Sequence, residues 1–171
     1  MSRTCQLRPI IVDGDTAYVT LTRGYVATVD ASDVHLIDGY NWAVMPGKSA
    51  IYAVRSIWTD KGSRSVFMHR TIMGEPDGKF VDHIDGDGLN NRRSNLREAT
   101  GAQNSRNSRL RRNNVSGFKG VSWIKRPGKW SAQIMVDGKQ SHLGFFSDPK
   151  EAHAAYVRAS EALHGEFGRT E

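Results

Sequence analysis

The chain has almost no cysteine, few prolines and no long apolar run. One cysteine, Cys5, among 171 residues leaves no internal disulfide and no cysteine-built zinc site, so a reducing, intracellular setting is expected. Nowhere do apolar residues run for the ~18 positions that a membrane-spanning helix requires. The N-terminus also lacks a signal-peptide hydrophobic stretch. A soluble, cytosolic protein with no membrane partner is expected. Acids are in the minority: 18 Asp and Glu face 24 Lys and Arg, for a net charge of +6, which points to a polyanionic partner. The length suits one ordinary domain or two small ones.

The distribution of charge says more than its sum. Between residues 92 and 129 stand eleven basic side chains, Arg92, Arg93, Arg97, Arg106, Arg109, Arg111, Arg112, Lys119, Lys125, Arg126 and Lys129, against the single acid Glu98. A solvated basic face is the plain reading. The position of the cluster, directly after a stretch rich in Asp, His, Gly and Asn, favours phosphate contact.

Apolar alternation predicts short strands over residues 6–30, broken by an Asp13-Gly14-Asp15 turn. Asp30 is expected to cap a helix over 31–38. Asn41–Val44 and Ile51–Arg55 read as two more strands, with Trp42, Tyr52 and Trp58 as core or pairing aromatics. Val66–Arg70 reads as a strand that enters a short helix ended by Gly74. Lys79–His83 reads as the strand that leads into the polar stretch. From Arg109 to Gly117 a basic linker is expected. A compact unit of three strands and one helix then begins near Phe118. Its Asp137-Gly138 pair is a strong hairpin signal. Asp148-Pro149-Lys150-Glu151 is a helix start with cap, first-position proline and an acid three residues on.

The chemistry concentrates in residues 81–104. Hydrolysis of a phosphodiester needs a base to activate water, positive charge at the phosphate and leaving oxygen, and a scaffold to align them. His83 can accept a proton near neutral pH. Asp82 is a hard oxygen ligand of the kind Mg²⁺ prefers, and an amide oxygen can complete that shell. Asn104 is the candidate, because Thr100-Gly101-Ala102-Gln103 has the form of a capping box that starts a helix just before it. Neighbours in a regular strand point to opposite faces, so Asp82 and His83 can serve one site only if the strand ends or bends there. Asp85-Gly86 supplies the bend, and Asn95 is expected to brace the loop through its backbone. His69 is a second candidate imidazole, read as a packing or orienting group beside the site.

Val81–Asn104, with His69-Arg70 upstream, resembles the HNH homing endonucleases built on the ββα-metal nuclease motif, in the phage and intron-encoded branch. The resemblance implies His83 as general base, Asp82 and Asn104 as ligands of a divalent metal (Mg²⁺, with Mn²⁺ as the alternative), and Asn95 as the central loop-bracing residue. It also implies a phage or mobile-element origin, with the protein working in the host cytoplasm. Many relatives carry His where Asn104 stands, and this leaves one carboxylate in the shell, which suits magnesium more than zinc.

Residues 116–167 are similar to the APETALA/ethylene-response-factor DNA-binding domain, on Phe118-Lys119-Gly120-Val121, Gly128–Ile134 and Leu143-Gly144-Phe145-Phe146. That resemblance implies a three-stranded sheet set in the major groove, with Lys119, Ser122, Lys125, Arg126, Lys129, Gln133, Met135, Gln140 and His142 as contacts, and Trp130 and Phe145 in the core. Ser122, Met135 and His142 stand where arginines or a tryptophan commonly lie, so a different target is implied.

These readings combine into an α+β protein: a β-rich region over 1–65, a ββα-metal nuclease core over 66–112 and a DNA reader over 113–171. The expected function is metal-dependent cleavage of double-stranded DNA as a nick or double-strand break, by a monomer or homodimer. Arg92, Arg93 and Arg97 are expected to steady phosphates near the cut, and Arg106, Arg109, Arg111 and Arg112 to track the backbone. The alternatives are a non-catalytic, sequence-specific DNA-binding regulator and an RNA-directed nuclease.

Overall fold

The structure, a computed structural model of the chain, describes residues 6–47, 50–110 and 113–170. It forms two compact units, Met1–Gly101 and Ala102–Glu171. Arg111 and Arg112 lie outside the described residues.

The first unit opens with an antiparallel meander of β1 (Ile10–Asp13), β2 (Thr16–Thr20) and β3 (Val26–Asp30). Ala17 and Val19 on β2 and Ala27 and Val29 on β3 are buried, the period-two pattern of a sheet with one covered face. A single helical turn, α1 (Val34–Ile37), follows. Next come β4 (Ala43–Pro46), β5 (Ile51–Thr59) and β6 (Gly62–Phe67), with β5 in the middle of the sheet. The short helix α2 (Met68–Ile72) leads to the pair β7 (Phe80–His83) and β8 (Leu96–Ala99), and α3 (Gly101–Arg106) begins directly after Thr100.

One core serves the elements of this unit from β1 to β8. Leu21, Val29, Ile37, Trp42, Met68, Ile72, Val81 and Leu96 belong to a single buried cluster. Each side chain of that size stabilises the fold by ~1.5–3 kcal/mol when withdrawn from water. The N-terminal strands therefore share their interior with the segment that carries Asp82 and His83.

In the second unit, β9 (Val121–Ile124), β10 (Lys129–Val136) and β11 (Lys139–Phe146) form an antiparallel sheet with β10 central. Asp137 and Gly138 turn the β10–β11 hairpin with φ of 49° and 76°, the two positive values that the tight hairpin turn demands. Helix α4 (Pro149–His164) starts at Asp148, whose carboxylate accepts the Lys150 N–H at 2.7 Å. Ala152 on its inner face packs with Val121 and Ala132 of the sheet. The three-strand-plus-helix architecture and the α+β class agree with the sequence reading. Among the described residues no helix is long and apolar enough to cross a membrane.

Three local expectations need correction and a fourth is narrowed. Asp30 caps no helix by its side chain, because its carboxylate is taken by Arg92 and Arg93; the short helix expected over 31–38 does form, as a 3-10 turn over Ala31–Asp33 that runs into α1. His69 and Arg70 lie on α2 rather than on a strand, since the apolar run Val66–Met68 fits either period and burial of Met68 and Ile72 selects the helix. Of the aromatics expected in the core or in strand pairing, Trp42 takes the core at 1% exposed, and Trp58 takes the hairpin, paired with Ser63 and 84% exposed. Phe145 is 48% exposed because it falls in register with Ser131, on the face of the sheet that α4 does not cover.

Candidate active site

β7 carries Asp82 and His83 at its end, both 5% exposed. The strand stops there: the Gly86 N–H donates to the His83 carbonyl at 2.9 Å and turns the chain into the loop 84–95. Asp82 faces its cross-strand neighbour Arg97, whose Nε and terminal nitrogen lie 3.0 and 2.9 Å from Oδ2. The His83 ring packs at 4.9 Å from that of His69 and at 5.9 Å from that of Tyr52.

The loop is organised from within. The Asn95 side chain accepts the Asp85 N–H at 3.0 Å and donates to Asp85 Oδ1 at 2.9 Å and to the Asn90 carbonyl at 2.8 Å. Asp85 in turn accepts the Asp87 N–H at 2.7 Å and the Asn90 amide at 2.8 Å. Burial works to raise the Asp85 pKa, but these hydrogen bonds together outweigh it and hold the carboxyl below its usual value. Gly88 lets the loop lie against β5. A Cβ there would stand 2.4 Å from the Ile51 carbonyl oxygen and 2.6 Å from the Tyr52 ring.

Asn91, fully buried, fixes the His83 tautomer. Its Nδ2 donates to the Leu89 carbonyl at 3.1 Å, so its Oδ1 faces His83 Nε2 at 3.3 Å and must accept from an Nε2–H. Nε2 then carries the proton of the neutral ring, and a second proton would go to Nδ1. Burial lowers the His83 pKa, while the Asn91 hydrogen bond and the carboxylates of Asp85, Asp82 and Asp87 pull it back up. His69 is held lower still, at about 3, by burial and by the neighbouring His83 and Arg70. Two adjacent imidazoles thus stay neutral near pH 7. Asn91 and Tyr52 were not singled out as site residues in the sequence. The Asn90-Asn91 doublet was the available signal, and only the fold shows which of the two turns inward.

The N-terminal sheet buttresses this loop from outside. The Thr28 N–H donates to the Leu89 carbonyl at 2.9 Å and the Asn91 N–H to the Thr28 carbonyl at 2.7 Å. Arg92 pairs with Asp30 at 2.8 Å and Asp15 at 3.1 Å, and Arg93 with Asp33 at 2.8 Å. Arg92, Arg93 and Arg97 are therefore engaged with carboxylates of their own unit.

The sequence model of the HNH endonucleases matches residues 67–106, the segment from the end of β6 through α3. Protein 3.8 of Escherichia phage T7 is 40% identical over 94 residues, 55% of this chain and 77% of its own length. An uncharacterized HNH endonuclease of Acanthamoeba polyphaga mimivirus is 32% identical over 161 residues, which covers 92% of this chain and 81% of that protein. The chain belongs to the HNH endonuclease family. No solved structure matches it significantly.

In this HNH family member, Asn104 lies on α3, past the boundary at Ala102 where the second unit begins. Among the described residues, no three His, Cys, Asp or Glu side chains cluster as a metal site. A shell of one carboxylate and one amide oxygen forms no such cluster. It suits a hard cation that keeps water and phosphate ligands, so Asp82 and Asn104 fit Mg²⁺ or Mn²⁺ by the chemistry of their donors.

The second unit presents a polar strip on the sheet face away from α4. Gln140 donates to Gln133, Gln133 Nε2 donates to Ser131 Oγ at 3.2 Å, and Ser131 Oγ lies 3.2 Å from His142 Nδ1. Ser122 pairs with Ser131 in the same row, and Met135 and Phe145, both exposed, border the strip. Lys125, Arg126 and Lys129 at the β9–β10 turn are exposed, as is Arg109. Arg106 lies 3.8 Å from Asp137. Lys119 Nζ donates to the carbonyls of Arg106 and Ser108, both at 2.7 Å. Burial and the nearby Arg169 lower its pKa to about 8.

Proposed function

We propose that this HNH family member is a metal-dependent, homing-type endonuclease that hydrolyses phosphodiester bonds of double-stranded DNA. The observation that carries the reading is His83 at the end of β7. It is a buried, neutral imidazole whose Nε2–H donates to Asn91, in the segment that matches the family. His83 takes the proton of an attacking water. The water oxygen bonds to phosphorus, the bond to the 3′-oxygen breaks, and 5′-phosphate and 3′-hydroxyl ends result. Asp82 and Asn104 are the residues that would hold a divalent cation, Mg²⁺ or Mn²⁺. When bound, it neutralises charge on the phosphate and the leaving oxygen. Asn95 keeps the loop in shape and Arg92 anchors it to the N-terminal sheet, so both act by positioning His83.

The cutting segment is 66–112 and the reading segment 113–171. In this reading Ser122, Gln133, Gln140 and His142 contact base edges as in the APETALA/ethylene-response-factor domains. Lys125, Arg126, Lys129 and Arg109 contact phosphates, with Arg111 and Arg112 on the intervening segment. The exposed polar strip on the open sheet face supports this, since a β-ribbon can enter the major groove. The relatives from a phage and another virus support a virus-encoded protein that acts inside the infected host cell.

Incubation of the purified full chain with supercoiled plasmid and Mg²⁺ or Mn²⁺ tests the proposal. Relaxed or linear product that disappears with EDTA is the expected result. DNA binding with no cleavage under any divalent cation would instead show the non-catalytic regulator, and preferential cleavage of structured RNA in competition would show the RNA-directed nuclease.

A further inference from the structure

β4 accompanies β5 only from Ile51 to Val54. Beyond that point β5 and β6 continue as a free two-stranded ribbon, paired from Val54–Phe67 out to Thr59–Gly62 and so extending ~17 Å at the usual rise per residue. Register assigns the side chains to faces. Tyr52 and Phe67 meet edge-on at 6.0 Å and pack against His69 at 5.6 and 5.3 Å, and Tyr52 also reaches His83. Outward along the same face come the pair Ser56–Ser65 and then Trp58–Ser63. Beyond Tyr52 and the pair Val54–Phe67, this face therefore holds only serines until it ends in an indole.

A single exposed apolar side chain is ordinary on a protein surface, so the exposure of Trp58 decides nothing by itself. Its place does. It shares a face with Tyr52 and Phe67, which pack on His69, and only the pair Ser56–Ser65 stands between it and the pair Val54–Phe67. Serine hydroxyls are common donors to phosphate oxygens, and a planar aromatic ring stacks on any base without regard to sequence. Charge agrees with an anionic occupant at the tip: exposed Lys61 stands in the β5–β6 turn beside Trp58, with Asp60 as the only acid of the ribbon, while Arg64 is exposed on the opposite face and Arg55 packs over Tyr40.

We infer that the β5–β6 ribbon is a substrate-gripping finger of the nuclease. Trp58 stacks against bases of the DNA beside the cut, and Ser56, Ser63 and Ser65 donate to its backbone. Insertion of an aromatic wedge between base steps also opens the duplex locally, which would present the scissile phosphate to His83. This inference rests on the endonuclease reading.

The test uses the full chain, its Trp58→Ala and Trp58→Phe variants, a fluorescein-labelled 30-base-pair duplex in EDTA for anisotropy, and a supercoiled plasmid with Mg²⁺. Trp58→Ala should bind the duplex about tenfold more weakly, while Trp58→Phe stays within about threefold of the parent. Both should keep the parental unfolding midpoint, because the side chain lies in solvent. If the parent cuts plasmid and Trp58→Ala binds as tightly as the parent, the finger is wrong and the nuclease stands. If the parent neither binds nor cuts, both fall. Loss of a concentration-dependent dimer in Trp58→Ala, seen by sedimentation without DNA, would overturn the finger by making a second copy of the chain its occupant.

Discussion

Asp82 and Arg97 face each other across β7 and β8 with a nitrogen–oxygen distance of 2.9 Å, and their side chains are 6% and 11% exposed. A carboxylate this deep requires a countercharge. Arg97 supplies one, and the cation proposed to bind Asp82 would supply another.

Arg97→Met should therefore destabilise the metal-free protein by ~3 kcal/mol, the order expected when one partner of a buried pair is removed. Millimolar MgCl₂ should return more stability to the variant than to the parent. Thermal unfolding with EDTA or Mg²⁺ reads both effects. A variant indifferent to Mg²⁺ would argue against Asp82 as a ligand.

The imidazole of His69 gives a pH dependence with a definite sign. Its folded pKa of about 3 lies below the ordinary value of 6.5, so on acidification the unfolded chain takes up a proton that the folded chain refuses. Stability is fully present above pH ~6.5 and declines below it by ~1.4 kcal/mol per pH unit. By pH ~4.5 the loss from this group is on the order of 2–3 kcal/mol. His69→Phe should flatten that limb when unfolding midpoints are compared across pH.

His83→Ala should lower plasmid cleavage by about 10²–10⁴-fold, the usual contribution of a positioned base, with duplex affinity nearly unchanged. Asn91→Leu keeps the imidazole but removes the acceptor that sets its tautomer. It should lose at least about tenfold in cleavage rate at parental affinity. If affinity collapses in His83→Ala, the residue is structural.

Lys125 and Lys129 are exposed beside the open sheet face. Replacing either by Ala should weaken binding to all duplexes alike and reduce the salt slope of log affinity by about one. Gln133→Ala should act differently. It should relax the preference among target sequences by about 1–3 kcal/mol at one position and leave nicking of a plasmid without the target unchanged. Equal losses on all sequences would show that Gln133 carries no readout.

Much of the second unit was legible before folding because its signals are local. The Asp137-Gly138 turn, the alternation of β10 and the Asp148 cap each depend on residues close in sequence, and each takes the expected form. The polar stretch around Asp82 and His83 was legible for the same reason: residue types and spacing within some twenty positions suffice to recognise the family and the bracing amide of Asn95.

Pairings between distant residues were not legible. Arg92 and Arg93 read as phosphate ligands until Asp15, Asp30 and Asp33, sixty or more positions away, were brought beside them. Asn91 became the partner of His83, and Trp58 became a ribbon tip rather than core, through strand register and packing. A sequence states what each side chain can do within its own turn or strand. Which charge is already neutralised, which nitrogen keeps its lone pair and which aromatic ring meets solvent depend on what the tertiary fold places opposite them, because Coulomb attraction, hydrogen bonding and burial act through distance in space rather than along the chain.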